Sequence, residues 1–118
     1  MKTALWLLAA TLLLSCAALA HHGWTGYDDS KGFTITGVIR EAKWENPHVL
    51  IRLQADNGKG KTWLAYLAPI NRMETRGLKQ DSVKVGGTAT LMGYPHKATA
   101  DELRAESITI DGKKTELR

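Results

Sequence analysis

Apolar and polar residues alternate along much of the chain, which is the pattern of strands with one buried face. The clearest case is segment 48–55. Val49, Ile51 and Leu53 fall on one face there, and His48 falls on the opposite face. We therefore predict that His48 is more exposed than those three apolar residues.

The same alternation and its interruptions predict six strands separated by turn-forming residues. The first strand changes its apolar phase after Gly37, which indicates a bulge or a sharp bend there. Asn46-Pro47 ends this strand, and Asp111-Gly112 forms a two-residue hairpin turn before the last one. The predicted strands are 33–44, 48–55, 61–67, 88–94, 103–110 and 113–117.

A short helix is predicted between the third and fourth strands. Pro69 suits the first helical position and Gly77 the position just past the end. Ile70 and Met73 fall on one face of this helix, which spans about two turns. Three strands, a helix and two strands follow the order of an OB-fold, a five-stranded Greek-key barrel. We therefore predict a mainly β protein, an OB-fold-like barrel of five to six strands with one short helix between strands 3 and 4. A small open β-sandwich is the alternative.

The first twenty residues have the pattern of a secretory signal peptide. Lys2 precedes an apolar run over 4–14, and Ala18 and Ala20 form an A-x-A cleavage pattern. The run is shorter than the roughly 20 residues that a spanning helix needs, so no transmembrane segment is expected in the mature chain. We predict a periplasmic protein cut after Ala20. Its predicted parts are a signal peptide at 1–20, an N-terminal arm at 21–32 and one β-barrel domain at 33–118.

Composition narrows the possible functions. Cleavage after Ala20 leaves 98 of 118 residues, enough for one small domain. It also removes Cys16, the chain's one cysteine, and so excludes disulfides and thiolate chemistry; lipoprotein processing at Cys16 is the alternative. The formal net charge is +4 without a dense basic run, so no nucleic-acid partner is expected. The sequence has no nucleophile-elbow, phosphate-loop or H-E-x-x-H motif, and an enzyme is not favoured.

Short motifs follow one another along the mature chain. They are His21-His22, Tyr27-Asp28, Trp44-x-Asn46-Pro47-His48, Ala68-Pro69, and Arg72 with Gly77. In this combined order the chain resembles an uncharacterised family of small exported bacterial proteins, classed as a domain of unknown function. The resemblance implies a periplasmic β-barrel-like domain and no established activity.

The four histidines are candidate metal ligands, and all lie after the predicted cleavage site. Imidazole binds copper, zinc, nickel and iron. After cleavage behind Ala20, the α-amine and the imidazole of His21 can chelate one metal ion together. That terminus resembles the histidine brace of copper oxygenases and periplasmic copper carriers. The leading hypothesis is a periplasmic binding protein that holds a transition metal, Cu(II) foremost. The candidate ligands are His21, His22, His48 and His96.

The alternative hypothesis is a metal-free module that binds a small ligand or an unidentified periplasmic protein. Aromatic rings on the barrel face would then form the binding surface, and each histidine would be an ordinary surface or loop residue. The candidate residues are Trp24, Trp44, Trp63, Tyr66 and Tyr94.

Overall fold

The long first strand, β1 (Phe33–Lys43), belongs to two sides of a closed barrel in the computed structural model, which describes residues 23–118. Its first half pairs antiparallel with β4 (Thr88–Pro95). Its second half pairs antiparallel with β2 (Leu50–Gln54). Strand β1 therefore lies between β4 and β2 and is hydrogen-bonded to both.

The barrel closes through a parallel pairing that links distant parts of the chain. Strand β3 (Thr62–Tyr66) pairs antiparallel with β2 and parallel with β5 (Glu102–Ile110). Strand β5 also pairs antiparallel with β4, so the closed order is β1-β2-β3-β5-β4. Strand β6 (Lys113–Glu116) adds to the outer side of β5. The predicted small OB-fold-like barrel is confirmed, with the sixth strand outside it.

The bulge of β1 lies at a different residue from the predicted one. The pairing of β1 with β2 shifts register between Ile39 and Glu41, so Arg40 is the bulged residue. Gly37 instead lies against another backbone segment, because a Cβ there would come within 2.1 Å of the Gln54 carbonyl oxygen. The phase change in the sequence therefore marks a close backbone contact just before the bulge.

The connections follow the turn-forming residues. A helical turn, α1 (Ala55–Gly58), joins β2 to β3, and Asp56 and Asn57 in it have positive φ angles of 52° and 54°. The predicted helix is α2 (Ile70–Thr75), which lies between β3 and β4. Pro69 is the residue just before the helix, one position earlier than the first helical position that the pattern indicated. A further 3-10 turn, Gln80–Ser82, leads towards β4.

The apolar residues that alternation placed inward fill the barrel. Val49, Ile51 and Leu53 are at most 1% exposed, and His48 is half-buried, which confirms the predicted phase of that segment. Met73 of α2 is fully buried and closes one end of the core. The largest fully buried side chains are those of Ile39, Val49, Ile51, Leu53, Leu67, Met73, Leu91, Leu103, Ile108 and Leu117.

The N-terminal arm, residues 23–32, is attached to the barrel by backbone hydrogen bonds. It consists of two 3-10 turns, Trp24–Gly26 and Asp29–Lys31. The Asp28 N–H donates to the Pro95 carbonyl at 2.8 Å, and the Lys97 N–H donates to the Gly26 carbonyl at 2.9 Å. Within residues 23–118, no helix has both the length and the apolar character needed to cross a membrane.

Candidate ligand pocket beneath the N-terminal arm

The N-terminal arm covers part of the barrel's outer face and leaves a cavity of about 300 Å³ beneath it. We call this cavity the arm pocket. A second cavity of about 120 Å³ lies between β1, β2 and β3, and its Glu41 and Arg52 pair with each other at 3.2 Å. The arm pocket is lined by Gly23, Gly26, Tyr27, Pro47, His48, Tyr66, His96, Glu102 and Arg104.

Arg104 is one of the residues that line the pocket wall. Its neighbours on β5, Leu103 and Ala105, point into the core, so alternation directs Arg104 outward. It pairs in register with Tyr66 on β3 and Tyr94 on β4. An outward arginine is normally exposed, but Arg104 is only 5% exposed.

The arm explains this burial. The Trp24 ring covers the Arg104 guanidinium, with the Arg104 Cζ 4.5 Å from the ring centroid. The Arg118 Cζ lies 4.6 Å from the same centroid, and Trp24 packs edge-on against Tyr94 at 6.2 Å. The arm thus converts an exposed position of β5 into a buried cationic one.

His48 lies next to the charged Arg104, and the two residues form one side of the pocket, called here the cationic side. It follows Pro47 in the connection from β1 to β2, and the Asn46-Pro47 peptide bond there is cis. The Arg104 Nη2 donates to the His48 Nε2 at 3.1 Å, so the neutral ring carries its proton on Nδ1. Burial lowers the pKa of His48, and the nearby Arg104 and Arg72 lower it further.

Glu102 forms the acidic side of the pocket. Its Oε2 accepts a hydrogen bond from the Tyr27 hydroxyl at 2.8 Å and lies 3.8 Å from the His96 Nε2. Burial and then the hydrogen bond to Glu102 raise the pKa of Tyr27, so that hydroxyl stays neutral. The pocket therefore carries opposite charges at two sides.

His96 is fixed in orientation by the loop that follows β4. Its Nδ1 accepts hydrogen bonds from the backbone N–H groups of Ala98 at 3.1 Å and Thr99 at 2.9 Å. The Nε2 is left facing Glu102 and the arm, where a Cβ at Gly26 would approach it within 3.1 Å. The imidazole is thus held with its Nε2 turned towards the pocket, and in the neutral ring that nitrogen is the N–H donor.

The pocket brings together some of the residues that the sequence singled out. His48 and His96 both line it, together with Gly23. His21 and His22 lie outside the described residues. Among residues 23–118 alone, no group of three His, Cys, Asp or Glu side chains is close enough to hold a metal ion.

The aromatic candidates fall into separate places. Tyr66 lines the pocket, and Trp24 and Tyr94 lie beside it around Arg104. Trp63 instead packs on Phe33, with 5.0 Å between ring centroids. Trp44 packs against the barrel core. The five rings therefore do not form one continuous binding surface.

Two charged pocket residues were not singled out from the sequence. Glu102 and Arg104 stand at the start of β5, and neither of them was assigned a role from the sequence. The available signal was alternation, because Arg104 stands between the apolar residues Leu103 and Ala105 and therefore falls on the opposite, outward face. Its burial depends on where the arm lies, which no local pattern specifies.

We predict that His48 makes the folded state less stable in mild acid. The pKa of His48 is lower in the folded protein than the usual value of about 6.5, so the unfolded chain takes up the proton first as pH falls. This contribution to stability is complete above about pH 6.5 and is lost below it. Urea unfolding of metal-free protein at about pH 7.5 and about pH 5.5 should show a smaller pH effect for His48→Gln. An identical pH effect in both proteins would contradict the assignment.

Comparison with known proteins gives a family for the chain and a structural match to part of a larger protein. The crystal structure of a complex of TiaS with a tRNA and ATP matches with a TM-score of 0.50 and 16% identity over 78% of this chain. The match spans 20% of that protein's chain, so it concerns the fold alone. None of the curated proteins compared with the chain matches it. The chain belongs to a family of unknown function (DUF6152), whose sequence pattern matches residues 10–104.

Proposed function

We propose that this is an exported binding protein that holds a transition metal ion, Cu(II) foremost, at the arm pocket. Residues 1–20 direct its export, and cleavage after Ala20 creates the amine that the site uses. The α-amine and imidazole of His21 are the first two ligands. Histidines of the pocket complete the site, with His22 available beside them.

One observation supports this proposal above the others. Gly23 lines the same cavity as His48 and His96. Two residues of extended chain span at most about 7 Å, so a site at this cavity is within reach of His21. The same cavity is therefore lined by three segments that are far apart in the sequence: the arm, the β1–β2 connection and the end of β4. A metal site shared by the candidate histidines requires these segments to be close together.

The charges within the pocket favour its acidic side for the metal. Glu102 places a carboxylate oxygen 3.8 Å from the His96 Nε2, and its negative charge suits a divalent cation. The His96 Nδ1 accepts two backbone N–H bonds, so Nε2 carries the proton of the neutral ring; for Nε2 to bind the ion, that proton moves to Nδ1 and the two hydrogen bonds are lost. The His48 Nε2 already accepts a hydrogen bond from Arg104, whose positive charge disfavours a cation there. His96 is therefore the preferred pocket ligand and His48 the weaker one.

The direct test is to purify the protein from the periplasm and determine its mass and metal content. We expect a mature chain that begins at His21 and carries about one copper ion per molecule. Intact mass spectrometry fixes the N-terminus, and elemental analysis counts the metal. A chain processed at Cys16, or a chain beginning at His21 that binds no added Cu(II), would contradict the proposal.

A metal-free binding module is the second candidate, and the region around Arg104 favours it. Trp24, Tyr66 and Tyr94 surround a buried cation there, next to an open cavity. Such a site suits a small polar ligand with an aromatic or anionic part. Saturable binding of such a ligand by copper-free protein, without any copper affinity, would favour this candidate over the metal proposal.

A further inference from the structure

Arg104 is a buried cation to which the chain offers no countercharge. The residue is 5% exposed, and its Nε is buried without a hydrogen-bond partner among the described residues. Within residues 23–118, no carboxylate lies within ion-pair distance of it. Residues 1–22 contain no Asp or Glu, so they cannot supply one either.

The groups that do surround Arg104 leave its charge uncompensated. Burial lowers the pKa of Arg104 most, and the neighbouring Arg72 and Arg118 lower it further, against an opposite effect of Tyr27. Tyr27 stays neutral, as its raised pKa shows. The Trp24 ring attracts the guanidinium through its face but has no net charge. Proteins rarely bury an arginine without a carboxylate partner, because a buried charge is normally paired.

We infer that Arg104 and His48 form a subsite for the oxyanion group of a small ligand, a carboxylate or a phosphate, in the arm pocket. Guanidinium N–H groups match the oxygen spacing of both groups. The neutral His48 accepts from Nη2 and keeps its Nδ1–H as a further donor within the same wall. A pocket of about 300 Å³ accommodates a small molecule, with Tyr66 as a flat neighbour. The subsite does not depend on the proposed metal.

Titration of metal-depleted protein in metal-free buffer tests this inference. The probes are inorganic phosphate, sulfate and succinate, each compared with chloride at equal ionic strength. Binding is measured by calorimetry. We expect saturable binding of at least one oxyanion, with one site per chain. Preference for succinate identifies a carboxylate ligand, and preference for phosphate or sulfate identifies a tetrahedral one. Absence of saturable binding of all three probes would overturn the inference.

Two substitutions separate a binding site from a general charge effect. Arg104→Gln should weaken binding by roughly tenfold or more, because the paired N–H donors are lost. Arg52→Gln removes the same charge from an exposed arginine on β2 and should leave the affinity within about twofold. Equal affinity of the Arg104→Gln variant and the unaltered protein would overturn the inference.

A stability measurement separates the subsite from a purely structural arginine. Arg104→Met keeps much of the length of the side chain and removes the uncompensated charge. In chloride buffer this variant should melt at or above the temperature of the unaltered protein, and the oxyanion should no longer raise its melting temperature. A clear fall in melting temperature, together with an oxyanion effect on melting temperature that persists in the variant, would overturn the inference. Copper binding is measured separately, so either proposal can fail without the other.

Discussion

Mature protein that begins at His21 should bind Cu(II) at least about 100-fold more tightly than the same protein with an acetylated α-amine. Acetylation removes a metal ligand without adding a residue or altering any imidazole. Loss of an outer partner already costs about 10–100-fold in metal affinity, and a direct ligand contributes more. Competition titration against a chelator of known affinity measures the difference.

The His21→Ala variant is the second arm of this experiment. It keeps a free amine and removes the imidazole of the chelate ring, so its Cu(II) affinity should fall as well. Extension by one glycine is a less suitable control, because it creates a new terminal amine close to His22. Equal affinities of the native, acetylated and His21→Ala proteins would refute a site built on the terminus.

Substituting each pocket histidine in turn tests on which side of the cavity the copper ion binds. His96→Gln should lower Cu(II) affinity more than His48→Gln, because the His48 Nε2 is already hydrogen-bonded to Arg104. Binding to the native protein should weaken as pH falls, since protons compete for the amine and the imidazoles. A larger loss in His48→Gln would place the ion on the cationic side and contradict the assignment to the Glu102 side.

The strands were predictable because each carries its own signal. Val49, Ile51 and Leu53 recur at every second position and are buried, which follows from burial of one face of the strand. Helix α2 was marked by Pro69 before it and Gly77 after it, where φ is +88°. Such local features need no knowledge of the rest of the fold.

The candidate site was predictable only in part, because it is made by contacts between distant segments. Its histidines are visible in the sequence, but their meeting depends on the end of β4 lying against the arm. The charged residues of the pocket gave weaker signals. Arg104 looks like any outward strand residue until Trp24 covers it, and only the folded arm creates that burial.

At Gly37, the change in apolar phase correctly indicated a special backbone feature in β1 but placed the bulge at the wrong residue. The change of apolar phase indicated a special backbone site, and a β-bulge or a sharp bend was the expected form. The bulge lies at Arg40, whereas Gly37 is required because the Gln54 carbonyl lies against its Cα. A pattern of residue types cannot distinguish these two causes, since both favour a glycine.

Gly37→Ala should therefore be among the most destabilising single substitutions in the barrel. Its Cβ would lie 2.1 Å from a backbone oxygen of Gln54, and no side-chain rotation relieves that overlap. We expect the free energy of unfolding to fall by about 3 kcal/mol, which corresponds to a loss of roughly 12 °C or more in melting temperature. Gly32→Ala is the matched control, because its Cβ would meet only the side-chain ends of Tyr94 and Met92, at 3.0 and 3.2 Å. That variant should lose less than about 1 kcal/mol. Urea unfolding of both variants measures the difference, and equal losses would contradict the close approach of β1 to Gln54.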